Sequence, residues 1–368
     1  MTRKILFDSV GSFLRPKALL DARREVAHGH MEVEEIRKIE DKYIEELINK
    51  QKSVGLKLIT DGEFRRSWWH LDFFWGLEGV EKTYPEDGYI FHDEETRAES
   101  IGIVGKIRGK NHPFIEDFKF VKQFEEDDIK AKQTIPAPAQ LYAEIKREEG
   151  VDTYKKFYLR DENLQEDIIN AYVEFIEELY EAGCRNLQLD DCTWGMFVDD
   201  NFRQDLETQG LDIDKLMEEY LNLNNSVIEK TPSDMHVATH ICRGNYHSTY
   251  AASGGYEKVS DFVLKREKVD CFYLEFDDER SGSFKPLKSI PEDKEVVLGI
   301  VTSKSGKLED INYLKERLND AFNYIEKERV ILSPQCGFSS TEEGNILKEE
   351  DQWKKLDLLN RLSKEVLG

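Results

Sequence analysis

The feature that most constrains this chain is a beat repeated eight times, a short run of β-branched and apolar residues that ends in small or polar ones. The runs are KILFDSVGSF (4 to 13), LKLITDGEF (56 to 64), QTIPAPAQL (133 to 141), NLQLDDC (186 to 192), MHVATHIC (235 to 242), CFYLEFDDE (271 to 279), VVLGIVTSK (296 to 304) and VILSPQCGF (330 to 338). Helical patterns separate most of them: EEIRKIEDKYIEELINKQKSVG before the second, DIINAYVEFIEELYEAG before the fourth, IDKLMEEYLNLNNSVIEK before the fifth and LEDINYLKERLNDAFNYIEKE before the eighth. Several close on glycine or a basic residue, which suits the carboxyl end of a helix. Strand and helix alternating eight times is the sequence form of a (β/α)8 TIM barrel. An open doubly wound sheet competes, but it would need a nucleotide fingerprint; GIVGKIRG has the wrong glycine spacing and no P-loop pattern occurs. At 368 residues, one barrel with an insertion accounts for the whole chain, 1 to 368.

The rhythm breaks once. From Glu78 to about Lys130 the second βα connection is far too long, and alternating segments around its glycines suggest a β-hairpin insertion, 78 to 130. An insertion there sits over the barrel mouth, as a lid or a substrate platform. Just before it, SWWHLDFFWGL (67 to 77) reads either as an amphipathic helix covering the mouth or as an aromatic wall of a site. Charge narrows the partners. With 75 acidic against 52 basic residues the net charge is -23, a field that repels phosphate backbones and anionic lipid and argues against nucleic acid or membrane. The amino terminus lacks a signal-peptide run and no window approaches the roughly 18 apolar residues of a membrane span, so a cytoplasmic location is expected. Thiols stay reduced there, and five cysteines, Cys184, Cys192, Cys242, Cys271 and Cys336, suit metal binding or catalysis better than cross-linking.

In a barrel the catalytic groups come from the carboxyl ends of the strands. Those ends carry Ser12, Glu63, Asp190 with Asp191, His240 with Cys242, Glu275, Lys304 and Cys336. Soft or borderline metal ligands gather on runs five, six and eight as His240, Cys242, Glu275 and Cys336, and zinc accepts sulfur, imidazole nitrogen and carboxylate oxygen. Two residues apart on an extended strand, His240 and Cys242 point to the same side. The pair alone reads equally well as a hydrogen-bonded histidine beside a small buried thiol. Its coincidence with the other strand ends is what singles it out, for catalysis or for a storage or structural zinc.

THICRGN, YLEFDDERSG and SPQCGF, together with the opening SVGSF and the DGEFRR of run two, resemble the carboxyl-terminal catalytic barrel of cobalamin-independent methionine synthase, in a short single-barrel form. The likeness spans the chain from the first run to SPQCGF. It implies a barrel whose zinc activates the thiol of homocysteine for methyl transfer to give methionine, with His240, Cys242, Glu275 and Cys336 as ligands. Asp277 rivals Glu275, although YLE matches the family's strand end. The resemblance further implies that the turn Val10, Gly11, Ser12 meets the substrate carboxylate and that Glu63 and Asp190 pair with its ammonium group.

Two places depart from the family. Where the long enzymes stack a tryptophan on the pterin of methyltetrahydrofolate, TIPAPAQL has Pro138, which offers no aromatic face. The expected donor is therefore 5-methyltetrahydrofolate or another methyl carrier, such as a methylated corrinoid protein. Where the family has a proton-relay histidine, VTSKSG has Lys304, and a catalytic relay there requires a strong downward pKa shift. Methyl transfer to another thiol such as coenzyme M, or a relative of uroporphyrinogen decarboxylase, would use the same fold. Arg243, Asn245 and His247 of RGNYH receive no role.

Overall fold

The computed structural model describes residues 5–147 and 153–368. Six of the eight runs form one continuous parallel ladder, in the order Gln133–Pro136, Asn186–Asp190, His236–Ile241, Cys271–Glu275, Glu295–Val301 and Val330–Pro334. Run one joins the last of these through a bridge from Phe7 to Leu332, with Asp8 N donating to Leu332 O at 2.8 Å. At the other edge Leu58–Ile59 pairs with Lys130–Ala131, which leads directly into Gln133–Pro136. Runs one and two then meet: Phe13 N donates to Gly62 O at 3.1 Å and Thr60 Oγ1 to Gly11 O at 2.6 Å. The expected TIM barrel is the observed fold. Every residue of Cys271–Glu275 and Val330–Pro334 is buried, as a parallel sheet covered on both faces requires.

The amphipathic segments become the outer helices Val33–Val54, Asp161–Glu181, Ile213–Ile228 and Ile311–Ala321, and a helix at Glu349–Val366 follows the eighth strand. After strands five and six the connections are nearly bare, holding only Val263–Arg266 and short 3-10 turns. The long second connection contains the expected hairpin, Glu78–Thr83 antiparallel to Ser100–Arg108, with a smaller pair, Ile90–Phe91 and Glu94–Glu95, between them. The stretch between that hairpin and strand three carries the helix Phe114–Lys122, whose buried face of Phe114, Ile115, Phe118 and Val121 serves the barrel itself. No helix among the described residues is long and apolar enough to cross a membrane.

The barrel interior is tied by a buried ion pair. Lys132 Nζ donates to Asp8 Oδ2 at 2.7 Å and to Ser9 O at 2.6 Å, and Tyr273 OH donates to the same Asp8 oxygen at 2.5 Å. These contacts connect runs one and six to the residue that leads into run three, and the two charged side chains are 2% and 1% exposed. Removing one partner strands a buried charge, at a cost of about 3–5 kcal/mol, whereas an apolar pair of similar volume leaves none. Lys132→Met is expected to lower the urea unfolding free energy by that amount. The double variant Asp8→Leu, Lys132→Met should recover most of it.

Candidate metal and substrate site

Three loops at the carboxyl ends of the strands are gathered by one buried guanidinium. Arg15 Nη1 donates to Ser339 O, Ser339 Oγ and Thr341 O, and Nη2 to Glu63 O and Arg66 O, at 2.6 to 3.1 Å. Runs one, two and eight are thereby held in register. Burial and the neighbouring Arg23 pull Arg15 down to about 10, so it remains a cation at neutral pH. Phe338 N donates to Ser12 O at 3.0 Å, and the two loops press so closely that a Cβ on Gly337 would lie 1.9 Å from Ser12 Oγ. Only glycine permits that contact, which sets Cys336 beside strand five.

His240, Cys242 and Cys336 form the resulting cluster, their ligand atoms all within 4.8 Å of one another. The parallel register places Asp190 opposite His240, and Asp190 Oδ1 lies 3.0 Å from His240 Nδ1. Because a carboxylate only accepts, Nδ1 carries the proton and the ring orientation is set. Gln188 Nε2, donating at 2.8 Å, steadies the same oxygen. The sulfurs of Cys242 and Cys336 stand 3.8 Å apart. A tetrahedral zinc with Zn–S bonds of about 2.3 Å requires a sulfur–sulfur edge of about 3.8 Å, so the donor set and its spacing fit that ion. The thiols of Cys192 and Cys336 and the adjacent His240 hold Cys242 well below the usual thiol range against the effect of burial. Burial works against a charged imidazole, yet Cys242 and Asp190 raise His240 to about 10.

Of the four expected ligands, the structure brings these three together and leaves Glu275 outside the group. Both Glu275 oxygens are engaged: Oε1 accepts from Arg280 Nη2 at 2.6 Å and lies 3.5 Å from Lys304 Nζ, while Oε2 accepts from Arg243 N at 2.6 Å. Burial opposes its charge, but Lys304, Arg243 and Arg280 outweigh burial and hold its carboxyl below the usual range. The side chain of the rival Asp277 is buried beside two of these cations, Lys304 and Arg280, and burial raises it to about 6. Burial would lower Lys304, but Glu275 and Asp277 turn the net shift upward, opposite to the direction a proton relay needs. The RGNYH residues have structural partners. Arg243 Nε donates to Gly254 O at 2.8 Å, Asn245 Nδ2 donates to Gly337 O at 2.7 Å, and His247 pairs at the surface with Glu94 of the insertion.

A cavity of about 800 Å³ opens over the cluster, lined by Val10, Ser12, Glu63 and Asp190 as well as by His240, Cys242 and Cys336. Gly11, Glu275 and Lys304 do not line it. Glu63 Oε1 accepts from Thr134 Oγ1 at 3.0 Å and lies 3.3 Å from Arg66 Nη1, whereas its Oε2 is buried without a hydrogen-bond partner. Burial raises Glu63 to about 7 despite the opposing Arg66. Pro138 is the buried first residue of the helix Pro138–Ile145, and the aromatic lining comes from elsewhere. Trp68, Trp69 and His70 supply one part, and Tyr89 and Phe91 of the insertion another. Tyr89 OH joins the two, 3.1 Å from His70 Nε2 while donating to Glu144 at 2.8 Å. SWWHLDFFWGL thus divides between wall and core, with Phe73 and Phe74 fully buried on the five-residue helix Leu71–Trp75.

The sequence matches the catalytic domain of cobalamin-independent synthase over residues 7–349. The chain belongs to this family. It is 42% identical over 350 residues to the uncharacterized protein YxjH of Bacillus subtilis, covering 95% of this chain and 91% of that one. Among solved structures, a putative vitamin B12-independent methionine synthase from Listeria monocytogenes superposes with a TM-score of 0.77 at 36% identity, covering both chains completely. A B12-independent methionine synthase from a Shewanella species, solved with selenomethionine, gives 0.71 at 18% identity over 99% of this chain and 98% of the other, a likeness of fold. The chain is thus an enzyme of the cobalamin-independent methionine synthase family.

Two residues of this site were not placed there from the sequence, Cys192 having been named only with the other cysteines and as the end of run four. Arg15 sits in an irregular segment with nothing to mark it as a three-loop anchor, and Cys192, 3.7 Å from the Cys242 sulfur, is brought beside the cluster by the start of the short helix after strand four. The Asp190–His240 contact yields a test. Asp190→Asn is expected to weaken zinc binding about 10- to 100-fold, because the imidazole loses its fixed tautomer and orientation. Chelator competition measures the loss, with circular dichroism checking that the barrel is intact.

Proposed function

We propose that this enzyme transfers a methyl group to the sulfur of homocysteine, giving methionine, at a zinc held by His240, Cys242 and Cys336. The observation that carries the reading is two sulfurs and a carboxylate-oriented imidazole on the wall of a cavity that also holds Glu63, a buried carboxylate with an unpartnered oxygen. When bound, zinc lowers the pKa of a coordinated thiol from about 8.5, so that the substrate sulfur is a thiolate near neutral pH. Glu63 meets the substrate ammonium, and Asp190 assists through the oxygen not used by His240. The Val10, Gly11, Ser12 turn holds the carboxylate. Fixing an amino acid at both ends aims its sulfur, which an in-line displacement demands.

The donor is 5-methyltetrahydrofolate or another methyl carrier, a corrinoid protein included. Its methyl group enters from the part of the cavity walled by Trp69, His70 and Tyr89, which supply the aromatic surface that Pro138 lacks. Lys304 acts as the charge partner of Glu275. We assign the reaction to the cytoplasm, where thiols remain reduced.

Methionine formation from zinc-loaded protein, homocysteine and a panel of methyl donors tests the reading. Cys336→Ala should lose both zinc and turnover, and full activity in the metal-free variant would overturn the proposal. A second expectation follows from Glu63. Its carboxylate form binds the ammonium group and is lost as pH falls through about 7. The KM for homocysteine should therefore rise about tenfold per pH unit below that value, and Glu63→Gln should raise KM and flatten the profile.

A further inference from the structure

We infer that Asp191, Asn224 and Glu267 hold one proton behind the metal site, and that this proton makes Glu267 a positioning residue for the ends of strands four and five. The inference rests on the metal centre proposed above and is independent of the methyl donor. Neighbouring residues of a strand face opposite ways, so Asp190 and His240 look into the cavity while Asp191 and Thr239 look out toward the helices. There Asn224 of the helix Ile213–Ile228 divides its amide between two carboxyls, Nδ2 donating to Asp191 Oδ2 at 2.7 Å and to Glu267 Oε1 at 3.0 Å. Its Oδ1 accepts from Ala139 N at 2.9 Å, at the start of the helix after strand three. Asp191, Asn224, Thr239 and Glu267 are all buried.

Two buried carboxylates that share one amide, with no cation beside them, do not both ionise near neutral pH. Among the described residues no cation acts on Glu267. Its sequence neighbours Arg266 and Lys268 turn outward to Glu218 and Glu229 of the same helix. The other titratable groups at hand, Tyr172 and Tyr220, are phenols that burial and nearby acids raise, so they stay neutral. The proton belongs to the carboxyl with fewer donors. Asp191 accepts from Thr193 N at 3.0 Å and Thr193 Oγ1 at 2.5 Å as well as from Asn224. Glu267 Oε2 is buried without a hydrogen-bond partner, and so is Thr239 Oγ1. Thr239 also acts on Glu267, and a proton on Oε2 can be donated to Thr239 Oγ1, which gives both atoms a partner. Burial, with Asp191 adding to it, pushes Glu267 up to about 8.

The link reaches the metal site from behind. Asp191 N donates to His240 O at 2.9 Å, and Asp191 caps the helix Cys192–Phe197. Gly195 of that helix packs on strand five so closely that a Cβ would lie 1.8 Å from Cys242 O. Thr239 directly precedes His240 on the strand. Protonated Glu267 therefore ties strand five to strand four through Asn224. Loss of the proton puts a second negative charge beside Asp191 and turns Oε2 from a donor into an acceptor. The strand ends that carry Asp190 and His240 then lose a tie.

Glu267→Gln keeps the bonding of the neutral acid, an oxygen for Asn224 and a donor for Thr239, but cannot ionise. A carboxyl raised to about 8 in the fold contributes stability that is lost as pH climbs from the ordinary carboxylate range through that value. In urea unfolding of the zinc-loaded protein, the unfolding constant of the wild type relative to Glu267→Gln should grow about tenfold per pH unit between about pH 5 and 8. In chelator competition, the zinc affinity of Glu267→Gln relative to the wild type should rise about tenfold between about pH 7 and 9, the effect of a group that orients a metal ligand. Should Glu267→Gln not fold, Glu267→Met, neutral and of similar length, takes its place in both measurements. An unfolding ratio that does not change with pH would overturn the buried proton. A sloping unfolding ratio with a zinc ratio independent of pH would overturn the positioning role and leave the metal centre and the methyl transfer standing. Zinc bound by neither protein would overturn the metal centre and the positioning role together.

Discussion

The site depends on Arg15. A barrel delivers its strand ends to one face, but the loops beyond them are free to diverge, and a catalytic group placed an ångström out of position loses much of its effect. Here a single guanidinium, too buried for water to compete, offers its fork to carbonyl and hydroxyl oxygens of the loops after strands two and eight while itself rooted after strand one. Those loops carry Ser12, Glu63 and Cys336. Glu63 O and Thr341 O have second donors in Arg66 N and Gly344 N, but Arg15 is the recorded donor to Ser339 O and Arg66 O, so the contacts that arrange the site also stabilise the fold.

Charge is divided around the cavity in a way that suits an amino-acid thiol. Acceptors face inward: the free oxygen of Glu63, the carboxylate of Asp190 and the low-pKa sulfur of Cys242. The nearby cations Arg243, Arg280 and Lys304 are drawn to Glu275 and Asp277, outside the cavity lining. Glu275 thus serves as a neutralising centre for the loops after strands five, six and seven. That arrangement draws three of the nearby cations away from the acceptors on the cavity wall, while Arg66 stays beside Glu63.

The insertion contributes to the same surface. Tyr89 from its tip hydrogen-bonds His70, and Phe91 lines the cavity beside it. His247, of the loop after strand five, pairs with Glu94 of the insertion, so the hairpin is tied to both sides of the cavity that it helps to wall. The aromatic surface of the cavity is therefore built by residues that lie far from Pro138 in sequence.

All eight runs that build the barrel were legible in the chain, although run one keeps only a bridge from Phe7 to Leu332, because burial on both faces of a parallel sheet leaves continuous apolar runs and each run ends in the residues a barrel exposes. His240, Cys242 and Cys336 were legible for the same reason, each standing at a strand end where the register of the ladder must bring it to the common face. Glu275 occupied an equivalent strand end, yet three basic groups from separate loops claim it, and no pattern along the chain records such a convergence. Arg15 was hidden likewise, because it acts through backbone oxygens, which every residue possesses, and the approach of Cys192 to Cys242 depends on a short helix pressed against strand five at Gly195. The sequence by itself determined the barrel, its insertion and three metal-ligand candidates, since these follow from periodicity and strand-end position. Which carboxylate is tied up by cations, which thiol faces the cavity and which aromatic residues wall it were decided only by the tertiary structure, because loop packing is set by contacts between residues that the chain keeps far apart.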